Sequence, residues 1–438
     1  MRIAWFTPLP PERSGIAAYS AELLPLVARD HAIVRVDESA AHDFVWKHQL
    51  DPYDLVVYQL GNAACHDYMW AYLVRYPGLV VLHDARLHQA RARRLLRASR
   101  FDDYRAEFRY DHPDAVADFV EYAVEGLGGP IYYFWSMLRV VMKTARGIAA
   151  HNERVVDELR TSYPESWIDT IRMGVPPLSA PPEAAARVRR IHGVPQEAFV
   201  FASFGKVTPE KRTTPILAAL GRIAGSHPQA HLLLVGDAGD ARAQTALHAD
   251  AQRRGVADRV HVTGFVPDEA IGDYLSAADA CLCLRWPTAL ESSASWLRCL
   301  AAERATVTSD LAHLVDVPAV EARNWRATDP SRAPIAVSVD LVDEEESLYR
   351  AMERLVRDAA FRQAIAGAGR QYWSTHHTLE MMAADYRRIL PIAAARPAPV
   401  VSDLPRHFTD DHGDLARAIA STYGVTARLP QASPSSHR

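Results

Sequence analysis

The sequence has little of several features that would define its class at once. Its 438 residues include four cysteines, with no C-x-x-C pair and no spacing typical of a disulfide framework. No apolar run approaches the roughly 20 residues of a transmembrane helix, and the start, MRIAWFTPLPPERSG, lacks a signal-peptide pattern. A net charge of -4 gives no general reason to expect nucleic acid as a partner. We therefore expect a cytoplasmic protein, with a position at the inner face of the membrane as the alternative.

Lysine is the scarcest of the charged residues. Only four of the 49 basic residues are lysines, which looks like a coding bias toward arginine. An individual arginine therefore carries little information, and a lysine carries slightly more. Two of the four, Lys206 and Lys211, lie five positions apart, although chance could place them so.

What the sequence does contain is a regular alternation of short apolar runs with amphipathic helical stretches. This alternation predicts parallel α/β sheets. We expect strands at 1–7, 32–38, 53–61, 78–84, 147–151 and 168–173, and then at 199–205, 231–237, 259–266, 280–286, 305–310 and 334–340. Two successive doubly wound domains, with ligands bound in a shared cleft at the carboxyl ends of their strands, are the simplest interpretation.

The composition also indicates where these domains end. We predict an N-terminal domain at 1–178, a linker rich in proline and polar residues at 179–198, and a second domain at 199–370. A helix at 371–394 is expected to pack back on the first domain. The tail, 395–438, has few large apolar residues, so we expect it to be mobile or loosely docked.

The loop FGKVTPEKRTT (204–214) leaves a strand and enters a helix. Gly205 allows close approach of the backbone, and the loop brings Lys206 and Lys211 near a helix N-terminus. Ammonium groups at a positive helix end suit a phosphate or diphosphate. The spacing is not that of a Walker loop. Two solvated lysines on a loop are an equally good interpretation of this stretch.

Two stretches of the first domain have related features. In PLPPERSGIAAYSAELL (8–24), a strand end is followed by Gly15 and a helix, where free backbone N–H groups can receive an anion. In VVLHDARLHQ (80–89), His83 and Asp84 stand at a strand end, placed for binding or acid–base work. Any α/β domain can show such a turn for packing reasons, and a histidine satisfied in the core is common.

The helix after Asp84 is rich in arginine between residues 86 and 100. Such a helix could contact a membrane surface or an anionic acceptor. Because arginine is abundant throughout the chain, a solvated helix face is the alternative.

The stretch PTALESSASWLRCLAAE (287–303) places Glu291 in a loop just before a helix. Ser292 or Ser293 suits the N-cap, and the first N–H groups of the helix would point into the cleft. With a diphosphate at that helix end, Glu291 would lie over the attached group. A first-turn carboxylate that only complements the helix dipole is as good an explanation.

Taken together and in this order, these stretches resemble the retaining glycosyltransferases of family 4, which have the GT-B fold. The likeness covers most of residues 1–390. It rests on GKVTPEK (205–211), LLLVGDAGD (232–240), VHVTGFVPDEAIGDYLSAADACL (260–282), PTALE (287–291) and LAAERATVTSD (300–310), and in the first domain on SGIAAYSAELL (14–24) and LHD (82–84).

The resemblance implies a retaining transfer of a sugar from a nucleoside-diphosphate donor to a hydroxyl of a glycan, glycolipid or small molecule. It implies no cofactor and no metal, because fixed cations and helix dipoles stabilise the leaving diphosphate. On its phosphate side, Lys206 and Lys211 would neutralise the diphosphate, helped by amides around Ser293 and Ala294. Gly15 would let the N-terminal loop approach the phosphates.

The resemblance also implies a sugar side and a base side. Glu291 would hold hydroxyls of the transferred sugar, and His83 would lie beside that sugar. The backbone near Phe265 and Val266 would border the nucleobase. Glu291, His83 and Lys211 would thus form the catalytic set.

One departure affects the expected grip on the nucleotide ribose. The second glutamate of the family, eight residues after the first, is Cys299 here. Glu303 would lie one helical turn further on, about 6 Å away, which is too far without a shifted nucleotide. Arg298 and Ser295 are alternatives that the sequence does not rank. The altered site leaves a second hypothesis open, that of a catalytically silent nucleotide-sugar-binding scaffold or regulatory subunit. A dinucleotide-dependent oxidoreductase is disfavoured, because no G-x-G-x-x-G follows the first strand.

Overall fold

The structure, a computed structural model, describes residues 1–116, 118–410 and 414–424. The strands of these residues are β1 (Arg2–Phe6), β2 (Ala32–Val36), β3 (Leu55–Leu60), β4 (Leu79–Leu82), β5 (Gly147–Ala150), β6 (Ile168–Thr170), β7 (Phe199–Phe204), β8 (Ala230–Val235), β9 (Val260–Val262), β10 (Ala280–Cys283), β11 (Ala305–Ser309), β12 (Ala319–Glu321) and β13 (Ala336–Val339).

The helices connect and flank these strands. They are α1 (Gly15–Val27), α2 (Ala41–Leu50), α3 (Met69–Arg75), α4 (His88–Arg97), α5 (Phe101–Asp111), α6 (Asp118–Val124), α7 (Arg139–Thr144), α8 (Glu153–Ser162), α9 (Ala184–Ile191), α10 (Thr213–Ala224), α11 (Ala241–Arg253), α12 (Ile271–Ser276), α13 (Ala294–Ala301), α14 (Glu344–Arg357), α15 (Ala359–His376), α16 (Leu379–Ala395), α17 (Arg406–Thr409) and α18 (Asp414–Thr422).

The strands form two all-parallel sheets. The first sheet has the order β2-β1-β3-β4-β5-β6, and the second has the order β12-β13-β11-β10-β7-β8-β9. Central strands such as β3, β7 and β8 are buried along their whole length, as expected where helices cover both faces of a parallel sheet. The predicted pair of doubly wound domains is therefore present. The three-residue strand β12 was not predicted, because so short a run has no recognisable period.

A hydrophobic core joins the two domains. Trp5 and Tyr386 pack in one cluster with Trp296, Leu300 and Trp373. The cluster combines strands of the first sheet with α13, α15 and α16. The two sheets are therefore held with their carboxyl edges toward a common cleft.

Helix α16 packs against α1 and β3 of the first domain. The Tyr19 and Tyr386 hydroxyls lie 2.8 Å apart, and Arg172 Nε donates to Asp385 at 2.8 Å. The single helix predicted at 371–394 is in fact interrupted, because α15 ends at His376 and α16 begins after Thr378. The Thr378 side chain caps α16 by accepting from the Met381 N–H.

Part of the predicted linker, 179–198, is helical. Helix α9 packs on α12, Val188 is buried, and Arg189 Nη2 lies 3.1 Å from an Asp279 carboxylate oxygen. This segment therefore belongs to the core of the second domain. The proline content of this segment suggested a linker, but the prolines flank the helix instead of interrupting it.

The start of the tail is packed more firmly than we expected. Phe408 is buried near Trp70, and His407 Nε2 lies 2.7 Å from Glu107 Oε1. One aromatic ring and one buried polar contact thus dock residues 405–409 on the first domain. Residues 411–413 and 425–438 of the predicted tail lie outside the described residues.

The arginine-rich helix α4 uses several of its cations inside the first domain. Arg91 forms a buried ion pair with Glu107, Arg93 lies 2.9 Å from Asp67, and Arg94 and Arg97 are exposed. Within the described part of the chain, no helix has both the length and the apolar character needed to cross a membrane.

Candidate active site

A cavity of about 930 Å³, its opening to solvent included, lies between the carboxyl edges of the two sheets. The second domain provides most of its wall. The polar residues that line it are His151, Asn152, Lys211, Arg285, Thr288, Glu291, Ser292, Ser293, Ser295, Thr308, Ser309, His313, Tyr372 and His377.

Lys211 is the lysine that reaches this cavity. It ends a short 3₁₀ turn after β7, and its Nζ donates to the Phe204 carbonyl. Gly205 makes room for it, because a Cβ at this position would lie 3.1 Å from Nζ, and the backbone here has a φ of +95°. Burial, followed by the charge of Arg285, lowers the pKa of Lys211 to about 8. An ammonium has three N–H donors, so two remain for a ligand.

Lys206 lies elsewhere on the same loop. It is exposed and does not line the cavity. It forms no hydrogen bond or ion pair with any residue that the structure describes. The two lysines that look equivalent in the sequence therefore have different environments.

The N-terminus of α13 opens onto the cavity. Ser293 is the N-cap, and its Oγ accepts from the Trp296 N–H at 3.2 Å. Helix α13 begins at Ala294, and the N–H groups of a first turn have no acceptor within their helix. Ser293 and Ser295 line the cavity beside them. This end of the cavity thus combines a helix N-terminus with the ammonium of Lys211, an arrangement that favours an anion.

Glu291 lies in the same wall, and its carboxylate is already engaged. One oxygen contacts Arg285 Nε, and the other accepts from the Thr288 hydroxyl and the Ala289 N–H, both at 2.8 Å. A carboxylate has about four acceptor positions. Three of them are occupied, which leaves one for a ligand hydroxyl.

Asp84 faces this cluster from the first domain. Its Oδ2 accepts from the Asn62 N–H at 2.7 Å, and the neighbouring Ala85 N–H donates across the cleft to the Ala289 carbonyl at 2.9 Å. Burial, followed by the nearby charge of Glu291, raises the pKa of Asp84 to about 7. Asp84 is thus only partly ionised near neutral pH.

His83 is withdrawn from the cavity surface. It is buried, its Nε2 lies 2.7 Å from Gln59 Oε1, and its ring contacts those of Tyr19 and His151. Burial lowers the pKa of His83 well below its usual value. His151, at the end of the neighbouring strand β5, lines the cavity instead.

The loops predicted to border the phosphates and the base meet each other. Gly15 is the exposed first residue of α1, and a Cβ there would meet nothing within 4 Å. The ring of Phe265 is half exposed, with the guanidinium of Arg13 at 4.3 Å from its centroid. Val266 is partly buried against the core of the second domain. The N-terminal loop therefore covers one face of Phe265.

The candidates for ribose binding are placed away from the cavity, apart from Ser295. Cys299 is fully buried, with its Sγ 3.9 Å from the Sγ of Cys283. Arg298 is also buried, and it donates to Glu22 of α1 at 2.6 Å. The helical spacing assumed for Glu303 does not apply, because α13 ends at Ala301 and Glu303 has a φ of +55°.

Sequence reasoning missed several residues of the cavity. Arg285 follows β10 directly, but the abundance of arginine concealed it. His151 and Asn152 end β5 in the same way as His83 and Asp84 end β4, and that parallel was the available signal. His313 carried no such signal.

The histidines, cysteines and carboxylates of the described residues form no group of three or more placed to hold a metal ion. The metal independence and lack of cofactor expected from the sequence remain predictions.

Comparison with known proteins gives a family match for part of the chain. Residues 185–292 match the model of the family described as glycosyl transferases group 1. This segment runs from α9 to the loop that carries Glu291 and includes Lys211. Among curated proteins, none matches the sequence.

Solved structures resemble the chain over most of its length. Sucrose-phosphate synthase from Thermosynechococcus elongatus is 14% identical with a TM-score of 0.63, and the match covers 90% of this chain and 100% of that one. The Anabaena protein HepE, solved with UDP-glucose, is 14% identical with a TM-score of 0.61 and the same coverage. A glycosyltransferase from Rickettsia africae is 14% identical with a TM-score of 0.61, covering 90% and 99%.

The predicted GT-B fold is confirmed by these likenesses and by the two parallel sheets. Together with the family match, the fold supports the predicted transferase enzyme. The individual site residues have not been tested and remain predictions.

Proposed function

We propose that the protein is a retaining, metal-independent glycosyltransferase of the family 4 type. It transfers a sugar from a nucleoside-diphosphate donor to an acceptor hydroxyl, which a glycan, a glycolipid or a small molecule provides. The observation that carries the proposal is the convergence of Lys211, Arg285 and the N-terminus of α13 on one cavity. HepE, a protein of similar fold, has been solved with UDP and with UDP-glucose.

In this proposal, the diphosphate lies at the N-terminus of α13. Lys211 and the first-turn amides of α13 donate to its oxygens, and Arg285 adds a second positive charge. As the bond from the sugar to the phosphate breaks, negative charge develops on the departing oxygen. Fixed cations and amides stabilise that charge without having to reorganise, which is the largest contribution to catalysis in many enzymes.

Glu291 would hold the transferred sugar. Its remaining acceptor position suits one sugar hydroxyl, and its contacts with Arg285, Thr288 and the Ala289 N–H keep the carboxylate in one orientation. The departing phosphate oxygen would accept the proton of the attacking hydroxyl.

A catalytically silent nucleotide-sugar-binding subunit is the second candidate. Cys299 favours it, because the buried thiol cannot replace a carboxylate that grips the ribose. Loss of one charge-assisted hydrogen bond costs about 1.5–3 kcal/mol, which weakens donor binding by one to two orders of magnitude. Such a loss leaves the stabilisation of the leaving group intact, so we favour the enzyme.

A thermal-shift panel of nucleoside diphosphates and their sugars tests the binding part of the proposal. A ligand at a hundred times its dissociation constant adds about 2.7 kcal/mol to the free energy of unfolding. We expect one nucleotide family to raise the melting temperature of the wild type and of Lys206→Ala, but not that of Lys211→Ala. If no nucleotide shifts the wild type, the proposal is wrong.

Donor consumption then separates the two candidates. Release of nucleoside diphosphate from the donor that binds supports the enzyme, whereas tight binding with no release in the presence of varied acceptors supports the silent subunit.

A further inference from the structure

His151 is a buried residue of the cavity wall, and its ring has one hydrogen-bonding atom without a partner among the described residues. It follows β5 of the first domain, is 7% exposed and lines the cavity. Its Nδ1 lies 2.8 Å from the Ile171 carbonyl. A carbonyl oxygen only accepts, so Nδ1 carries the hydrogen. The other ring nitrogen, Nε2, is buried and has no hydrogen-bond partner among the described residues.

The ring of His151 is held as a neutral acceptor. Burial lowers its pKa to about 4, so the imidazole is uncharged near neutral pH. With the hydrogen on Nδ1, Nε2 presents a lone pair. The ring packs against Tyr19 and His83, with centroids at 5.3 and 4.8 Å, which restricts its orientation. An unsatisfied buried acceptor destabilises the folded protein, so a ligand that donates to Nε2 would recover that loss.

A second imidazole lines the cavity from the opposite domain. His313 is buried, and its ring makes a hydrogen bond with the backbone of Glu291. The two loops are tied together, because Asn152 Nδ2 donates to the His313 carbonyl at 2.9 Å. The cavity therefore has a cationic part, with Lys211 and Arg285, and a part lined by imidazoles from both domains.

We propose that His151 is a positioning residue for the transferred sugar, whose hydroxyl donates a hydrogen bond to Nε2. This inference rests on the proposed function, which places the diphosphate at Lys211. Nε2 of His151 and the one free position of Glu291 are both acceptors. They suit a ligand rich in hydroxyl donors, and they give no favourable site to a second anion.

The test compares the affinity for a nucleoside diphosphate with that for its sugar, measured by calorimetry on the full chain. The variants are His151→Phe, which keeps a planar ring without an acceptor, and His151→Gln, whose amide oxygen can accept. We expect the affinity of both variants for the nucleoside diphosphate to stay within about twofold of the wild-type value. His151→Phe should bind the nucleotide sugar about tenfold more weakly than the wild type, and His151→Gln should recover part of that loss.

The chain offers a matched control. His66 is fully buried, its Nδ1 lies 2.8 Å from the Gln59 carbonyl, and its Nε2 has no partner in the part of the chain that the structure describes. It does not line the cavity. His66→Phe should leave both affinities unchanged relative to the wild type. A general packing effect would change His66→Phe and His151→Phe alike and would overturn the proposal.

The other outcomes are distinct. If His151→Phe binds the nucleotide sugar as tightly as the wild type does, the assignment of His151 is wrong. A fall in its turnover would then reflect an effect on the acceptor and would not support the assignment. If the wild type binds no nucleoside diphosphate, the proposed function fails and this inference fails with it.

Discussion

The carboxyl edges of the two sheets meet the same cavity with side chains of different character. The edge of the second sheet supplies charge, with Lys211 after β7 and Arg285 and Glu291 after β10. The edge of the first sheet supplies His151 after β5, which is held neutral by burial. Behind the cavity wall, Asp84 after β4 has a pKa raised to about 7.

Packing explains this difference. Helices α1 and α16 pack on the first domain and help to bury its polar groups. Burial disfavours the charged form of a titratable group, so these groups are held neutral. In the second domain, the N-terminus of α13 provides a positive potential and Arg285 is paired with Glu291. Lys211 stays mostly charged at neutral pH, although burial lowers its pKa to about 8. The comparison teaches that the two edges suit different parts of one ligand, an anion on one side and an uncharged polyol on the other.

The largest effect on the contrast between the two edges is expected from a substitution of Lys211. Lys211→Ala should reduce donor turnover by about a hundredfold to a thousandfold, because it removes a fixed charge beside the leaving group. Initial rates of nucleoside-diphosphate release measure this, with circular dichroism as a check on folding. Lys206→Ala should stay within about threefold of the wild type. Equal losses in the two variants would contradict the different roles of these lysines.

A carboxylate added at the buried position 299 of α13 tests whether the second domain accepts a charge behind the cavity wall. Cys299→Glu restores the family's carboxylate but places it where no part of the residue is exposed. We expect the free energy of unfolding to fall by about 3 kcal/mol or more, as for an uncompensated buried charge. Urea denaturation measures the loss, with Cys299→Ala as the size control. A stable variant with tighter nucleotide binding would show that the helix can turn this residue toward the ligand.

The charge of the second edge should also depend on pH. Lys211 loses its proton as the pH rises through about 8, so nucleoside-diphosphate affinity should fall up to about tenfold per pH unit above that value. Calorimetry between pH 7 and 9.5 measures this. Lys211→Arg, which stays charged, should give a flat profile. A flat profile in the wild type would mean that Lys211 does not contact the anion.

The smallest effect is expected at the first edge. The pKa of Asp84 is about 7 in the folded chain and about 3.9 in an unfolded chain. The folded state therefore holds an extra proton between these values. The contribution of Asp84 to stability is therefore greatest below pH 4, falls as the pH rises toward 7 and is then constant.

Asp84→Asn removes the decrease in stability that ionisation of Asp84 causes, and its side-chain oxygen can still accept from the Asn62 N–H. We expect a melting temperature a few degrees above the wild type at pH 8 and little difference at pH 4. Melting curves at both values measure the effect, with the exposed Asp114→Asn as the control. A gain of the same size at both pH values would rule out titration of Asp84 as the cause.

Much of the architecture could be predicted from local patterns. The β and α periods identified the two sheets, and the strand-to-helix loops placed Glu291, Ser293 and Lys211 at a carboxyl edge. These features depend on short segments, in which the chain period and the capping residues act directly.

The environment of individual side chains could not be predicted in this way. His83 and His151 follow neighbouring strands with the same kind of ending, yet only His151 lines the cavity. Likewise, Lys206 and Lys211 share a loop, and Arg285 was one arginine among many.

The sequence by itself determined two parallel sheets with loops suited to an anion at their edges. Only the tertiary structure decided which polar groups reach the cavity and in which charge state. The physical reason is that burial and pKa depend on contacts with elements far away in the chain. Helix α16 covers the first domain from about 300 residues further along the chain, and no local pattern contains that information.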